Sequence, residues 1–177
     1  MQVFCVSGAL LELDGCVQQA PPPAELVQAP LLDDEPWRAY PASEDPLPTH
    51  QPSQIDCGAG GFYVERQQLE IDTSYCNYLL AEHPSRLSIA ANTEVSIELS
   101  HYDLTAPEPT TAHAALLFGD DVVWETFIDI PAAADVLHAT VRSPHALAAG
   151  QPVRLHLHNH GQNNYALGPI LVMVPKS

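Results

Sequence analysis

Strict alternation in one short stretch constrains this chain more than any other feature. The run Arg154-Leu155-His156-Leu157-His158-Asn159-His160-Gly161 places three histidines at every other position. On a β-strand, alternate side chains point to the same face. Val153, Leu155 and Leu157 then face a core, and His156, His158 and His160 line the other side. Apolar and β-branched residues alternating with polar ones, closed by a glycine, support the strand assignment.

Three imidazoles on one face point to a metal site. Residues two apart on a strand lie about 6.5–7 Å apart, and metal–imidazole bonds are about 2.0–2.1 Å. Two such rings converge on one ion if their rotamers lean together, and a third ligand comes from a neighbouring strand. His160, beside Gly161, is placed to leave the row. The same row also reads as a polar solvent face, with Asn159 and Asn163 making turn hydrogen bonds.

His113 and His101 are the candidate partners. His113 opens the apolar strand His113-Ala114-Ala115-Leu116-Leu117-Phe118. His101 ends a strand on which it shares a face with Val95, Ile97 and Leu99, so it is either a ligand or a core histidine, with Asp103 as a carboxylate to orient it. His138 lies on the polar face of its strand. His50, His83 and His145 fall in the N-terminal segment or in loops beside proline and are not assigned to a site.

Short apolar runs recur across the second two-thirds of the 177 residues. Candidate strands are 62–71, 77–81, 86–90, 94–102, 113–118, 122–130, 136–142, 152–160 and 166–174. They are punctuated by turn chemistry such as Gly119-Asp120-Asp121 and Ala149-Gly150-Gln151-Pro152. Residues 131–135 and 145–149 have room for a single helical turn. The pattern predicts an all-β chain: a single antiparallel β-sandwich over 57–177, of the jelly-roll type.

The N-terminal third differs. Residues 1–56 carry nine of the 17 prolines, and nine acids against one base, Arg38. Residues 17–56 therefore read as an extended, solvated, disordered tether, with Trp37 and Tyr40 as candidates to dock on the domain. Before them, residues 1–16 end in Leu13-Asp14-Gly15-Cys16, which resembles a bacterial lipoprotein signal with a lipid anchor on Cys16. Cys57 and Cys76 bracket the start of the folded part. In an exported chain they are expected to form a disulfide, with Cα atoms about 4.4–6.8 Å apart. The expected location is extracytoplasmic, in the periplasm or on the outer membrane.

With six Lys and Arg against 22 Asp and Glu, the formal charge is −16. This argues against nucleic acid and against electrostatic docking on anionic lipid. No stretch of about 18 apolar residues is present to make a transmembrane helix. Redox Cys-x-x-Cys spacing, the nucleophile elbow and phosphate loops are also absent.

Three pieces of the chain, Asp72-Thr73-Ser74-Tyr75-Cys76, His113 to Gly119 and His156-Leu157-His158, resemble the copper type II, ascorbate-dependent monooxygenases, the peptidylglycine-hydroxylating type among them. The resemblance implies jelly-roll-like sandwiches, copper on His113 and on the His156/His158 pair, Cys76 as half of a disulfide, and monooxygenase-like oxidoreductase activity. Ala114 stands where that family has a second histidine.

Two functions follow as expectations. One is an exported, lipid-anchored sandwich binding copper or zinc through His156, His158, His113, His160 and His101. The other is a metal-free module for a glycan or protein, with Tyr102, Phe127 or Tyr165 as the stacking platform. Trp124, alternating with Val122 and Ile128, reads as core.

Overall fold

A computed structural model describes residues 24–176. The lipoprotein-like segment with Cys5 and Cys16, and the start of the tether, lie outside the described residues. No described helix is long and apolar enough to cross a membrane.

The chain forms two antiparallel sheets packed face to face. Its strands are β1 (Leu26–Pro30), β2 (Arg38–Ala39), β3 (Phe62–Glu65), β4 (Gln68–Asp72), β5 (Tyr78–Pro84), β6 (Glu94–His101), β7 (Thr110–Phe118), β8 (Asp121–Ile130), β9 (Asp135–Arg142), β10 (Pro152–His158), β11 (Asn164–Leu167) and β12 (Leu171–Pro175). One sheet runs β2-β5-β10-β7-β8. In the other, β6 pairs with β9 along one edge and with the collinear β11 and β12 along the other, and β4, β3 and β1 extend it. The connections β4 to β5, β5 to β6 and β6 to β7 each cross between sheets, and so do β8 to β9, β9 to β10 and β10 to β11. The resulting orders, β4-β11-β6-β9 and β5-β10-β7-β8, are those of a jelly roll.

Alternation decides which side chains fill the gap. Along β6, Val95, Ile97, Leu99 and His101 are buried and the intervening residues half-exposed. Along β10, Val153, Leu155 and Leu157 are buried in the core shared with Leu79, Leu116 and Tyr165. Trp124 is half-buried and packs against that core, as expected.

The strand assignments differ from expectation in three places. Residues 62–71 form a hairpin, β3–β4, turning at Arg66 and Gln67, whose φ values are +50° and +68°. Positive φ is usually signalled by Gly or Asn, so the turn is invisible in the sequence. Residues 86–90 contribute only an isolated bridge, Ile89 to Leu147. The stretch 166–174 divides at Gly168-Pro169 into β11 and β12. Neither 131–135 nor 145–149 is helical.

The tether reading is corrected from residue 26 onward. β1 pairs with β12 over five residues, and β2 pairs with β5. Two short 3-10 turns, Ala42–Glu44 and Pro48–His50, follow. Residues 40–51 thus form a strap across the outer face of the β10 sheet. Trp37 and Tyr40 dock as proposed: Trp37 meets the buried His83 edge-on, ring centroids 5.6 Å apart, and Arg154 lies 4.4 Å over the Tyr40 ring. Backbone pairing of β1 and β2, the fully buried Leu31 and specific side-chain partners together hold this proline-rich segment, and composition does not register such partners.

Cys57 and Cys76 are disulfide-bonded, with Cα atoms 3.9 Å apart, closer than the expected window. They face each other across an antiparallel bridge as a non-hydrogen-bonded pair, the closer of the two pair types. The crosslink spans 19 residues. Replacing both cysteines by serine should lower stability by about 3 kcal/mol for a loop of this size. Urea unfolding of the two proteins, with and without reductant, measures it; superimposable curves would deny the crosslink a stabilising role.

Candidate functional site

The histidine row is where alternation placed it, but it is not a solvent face. His156 is fully buried, and His158 and His113 are 8% and 2% exposed. His158 and His113 face each other directly across the β10–β7 ladder, and His156 lies opposite Ala115. All three point away from the core, and the strap covers them.

A continuous chain of hydrogen bonds runs through this face. The Tyr78 hydroxyl donates to Asp45 Oδ2 at 2.6 Å, and His156 Nδ1 lies 2.7 Å from the same oxygen. His156 Nε2 is 3.1 Å from His113 Nδ1, and His113 Nε2 is 3.1 Å from Glu125 Oε2. Asp45 comes from the strap and is itself buried. Its partner at the other end, Glu125, is half exposed. The His113 ring stacks on Phe127, with centroids 4.4 Å apart, and His50 of the strap lies 4.2 Å from it.

Local charge follows from this packing. Burial by itself would raise the Asp45 carboxyl. Hydrogen bonds from His156, Tyr78 and the Leu47 amide override it and hold the group well below the ordinary carboxylate range. Burial and the Asp45 hydrogen bond push the Tyr78 phenol up. His113 is lowered by burial, then by the neighbouring His156. His158 is lowered to about 4, by burial first and then by the rings of His160, His156, His113 and His50. Its Nε2 is buried without a hydrogen-bond partner.

The other expected ligands divide. His160 is exposed, lies beside the His158 ring at 4.1 Å, and lines a cleft of about 600 Å³ with Thr73, Asn77 and Asn159. His101 is corrected out of the group. It faces the core from the opposite sheet, 5.7 Å from the Tyr165 ring, with Nδ1 on the Tyr102 carbonyl. Asp103 does not orient it; that carboxylate accepts from the Ala134 amide. Ala114 faces the core, fully buried, so that position of the paired-histidine motif points away from the cluster. Among the described residues, no three His, Cys, Asp or Glu side chains already surround one point. Asp45, Glu125, Tyr78 and His50 were not anticipated. The parity of Glu125, two positions before Phe127 on a strand, was the one available signal.

A second surface lies on the outer face of the other sheet. The residues Tyr63, Glu70, Ala166, Ser100 and Val136 stand opposite one another in register across β3, β4, β11, β6 and β9. Small side chains at Ala166 and Ser100 between larger ones leave a depression of about 480 Å³, lined also by Gln68, Tyr102 and Asp135. Tyr63 and Tyr102 are 45% and 63% exposed. Burial, then Glu65, raises the Glu70 carboxyl. Of the expected stacking residues, Tyr102 is free to meet a ligand. Phe127 is exposed on one side and covered by His113 on the other. Tyr165 is fully buried, its hydroxyl donating to Asn159 Oδ1, and cannot be a platform.

No family model matches the chain, and no curated protein matches it. Among solved structures, it is similar to one titled "CBM4 structure and function", at 12% identity over 70% of this chain and 77% of the other, with a TM-score of 0.35. It is similar to TmCBM61, solved in complex with β-1,4-galactotriose, at 7% identity over 78% and 99% of the two chains, TM-score 0.40. It is also similar to the CBM22-1 xylan-binding domain from Paenibacillus barcinonensis Xyn10C, at 14% identity over 89% and 100%, TM-score 0.30. Likeness at this level does not bear on what this chain binds.

His158 makes the fold pH-sensitive. Its ordinary value is 6.5 and its folded value about 4, so between the two the unfolded chain binds more protons. Stability is therefore complete above about 6.5 and lost as pH falls toward 4, by roughly 3 kcal/mol. Asp45, also held low, adds a further loss below its ordinary value of 3.8. Denaturant unfolding at pH 7 and pH 4.5 in the presence of a chelator should show the drop. His158→Gln should reduce it, and a variant with the full wild-type dependence would assign it to other groups.

Proposed function

We propose that this protein is an extracytoplasmic β-sandwich binding module that holds a neutral glycan in the depression on the outer face of the β6 sheet. The observation that carries this reading is the depression on the row across five strands: exposed Tyr63 at the end of the row and exposed Tyr102 in the lining flank a polar floor. An exposed tyrosine offers a flat apolar face and a hydroxyl, which suits the C–H faces and hydroxyls of a sugar ring. Gln68, Glu70 and Ser100 supply acceptors and donors for ring hydroxyls without a large apolar patch. Glu70 and Asp135 in the lining, with the net charge of −16, disfavour uronic-acid or sulfated glycans. The Cys57–Cys76 disulfide supports action outside the reducing cytosol.

Affinity electrophoresis against neutral β-linked polysaccharides, followed by calorimetry with the oligosaccharide retained, tests this. Tyr102→Ala and Tyr63→Ala should each weaken binding at least tenfold with no change in the melting temperature, because both rings are exposed. Wild-type protein that is retained by no neutral glycan, or variants that bind as tightly as it does, would overturn the reading.

A further inference from the structure

We infer that His113, His156 and His158 form a site for one divalent zinc or copper ion, oriented by Glu125 and Asp45 beneath the strap. The inference rests on counting ring hydrogens. A carboxylate only accepts, so His156 Nδ1, 2.7 Å from Asp45, carries its hydrogen there. His113 Nε2, 3.1 Å from Glu125, carries its hydrogen there in the same way. In neutral rings, the remaining nitrogens, His156 Nε2 and His113 Nδ1, then both present lone pairs. These two nitrogens face each other at 3.1 Å. Two lone pairs at that distance repel unless one cation bonds to both nitrogens.

That cation is either an extra proton on one ring or a metal ion. Three observations favour the metal. Around an ion with bonds of about 2.0–2.1 Å, adjacent nitrogens lie roughly 2.9–3.4 Å apart, a range that includes the observed separation. Each ring has its outer nitrogen on a carboxylate, which is how metal-bound imidazoles are usually oriented and made more basic. A third imidazole, His158, lies directly across the ladder from His113, and its Nε2 is buried without a partner. A shared proton would leave that nitrogen unsatisfied, whereas an ion accepts it once the ring turns toward the pair. Imidazole donors suit zinc and copper, and the described cysteines are tied in the disulfide and offer no thiolate.

The site lies on the opposite sheet from the glycan face, so the two readings fail separately. The full-length protein, stripped with chelator and desalted, is titrated with Zn²⁺ alone and with Cu²⁺ alone. Metal content is read by mass spectrometry after desalting, and the copper form by electron paramagnetic resonance. The expected result is one retained ion per chain, with nitrogen hyperfine structure from imidazoles. His158→Gln should weaken binding at least 100-fold. Glu125→Gln, at a half-exposed position where the fold tolerates change, should weaken it 10–100-fold. Tyr102→Ala and His138→Ala should leave it unchanged. A wild-type protein that retains no ion would overturn the inference, as would wild-type affinity in either His158→Gln or Glu125→Gln. So would binding lost only on removing the exposed His138 or His145.

Discussion

The alternation of β10 is the constraint on which the rest of this molecule depends. β10 is an interior strand, with β5 on one side and β7 on the other. Its odd-numbered residues from 153 to 157 fill the gap between the sheets, and its even-numbered residues, Arg154, His156 and His158, point the other way. A slip of one residue would send imidazoles into an apolar core and leucines under a polar strap. The leucine burial therefore fixes the position of the histidines.

A polar row on the outside of a sheet normally meets water. Here it meets the strap, through two contacts along β10 and one on the neighbouring β7. Tyr40 lies on Arg154, Asp45 on His156, and His50 on His113 beside His158. Each contact is polar or aromatic and directional, which is how a segment so rich in proline and acid is held without a large apolar face. The central contact, Asp45 with His156, is buried on both sides. Removing Asp45 would leave the buried His156 Nδ1–H without its acceptor, and removing His156 would leave the Asp45 carboxylate with only Tyr78 and the Leu47 amide, each a loss of about 1–3 kcal/mol. The same contact also sets the His156 tautomer, so the strap that closes the face determines which nitrogen is presented inside it.

The two outer faces of the sandwich differ because their covers differ. Over β10 the strap excludes water and turns a polar row into a dry cluster of imidazoles and carboxylates. Over β6 nothing among the described residues lies on the row from Tyr63 to Val136, and small residues at its centre leave it hollow. One fold thus carries a closed polar site on one side and an open one on the other. The acidity of the chain suits both a cation and an uncharged ligand, and suits an anion poorly.

The Cys57–Cys76 pairing was legible from the way the two cysteines bracket the start of the folded part of a chain read as exported. Period-two patterning made legible most strands, the division of β10, and the core position of His101 as one of its two readings. These depend on nearest neighbours along a strand and on burial. The β3–β4 turn was not legible, because Arg66 and Gln67 adopt positive φ without a residue that announces it. Apart from Trp37 and Tyr40, the docking of residues 26–51 was not legible either, because composition records the cost of burying acids and prolines but not the partners that offset it. Nor did the sequence show that Asp45 and Glu125 would flank the histidine pair, since they lie 111 and 12 residues from their partners. The sequence by itself determined that a jelly-roll sandwich forms and which side of β10 its histidines occupy. Only the tertiary structure decided that this side is buried and which ring nitrogens face carboxylates. Those properties depend on charged groups brought from distant segments into one desolvated space.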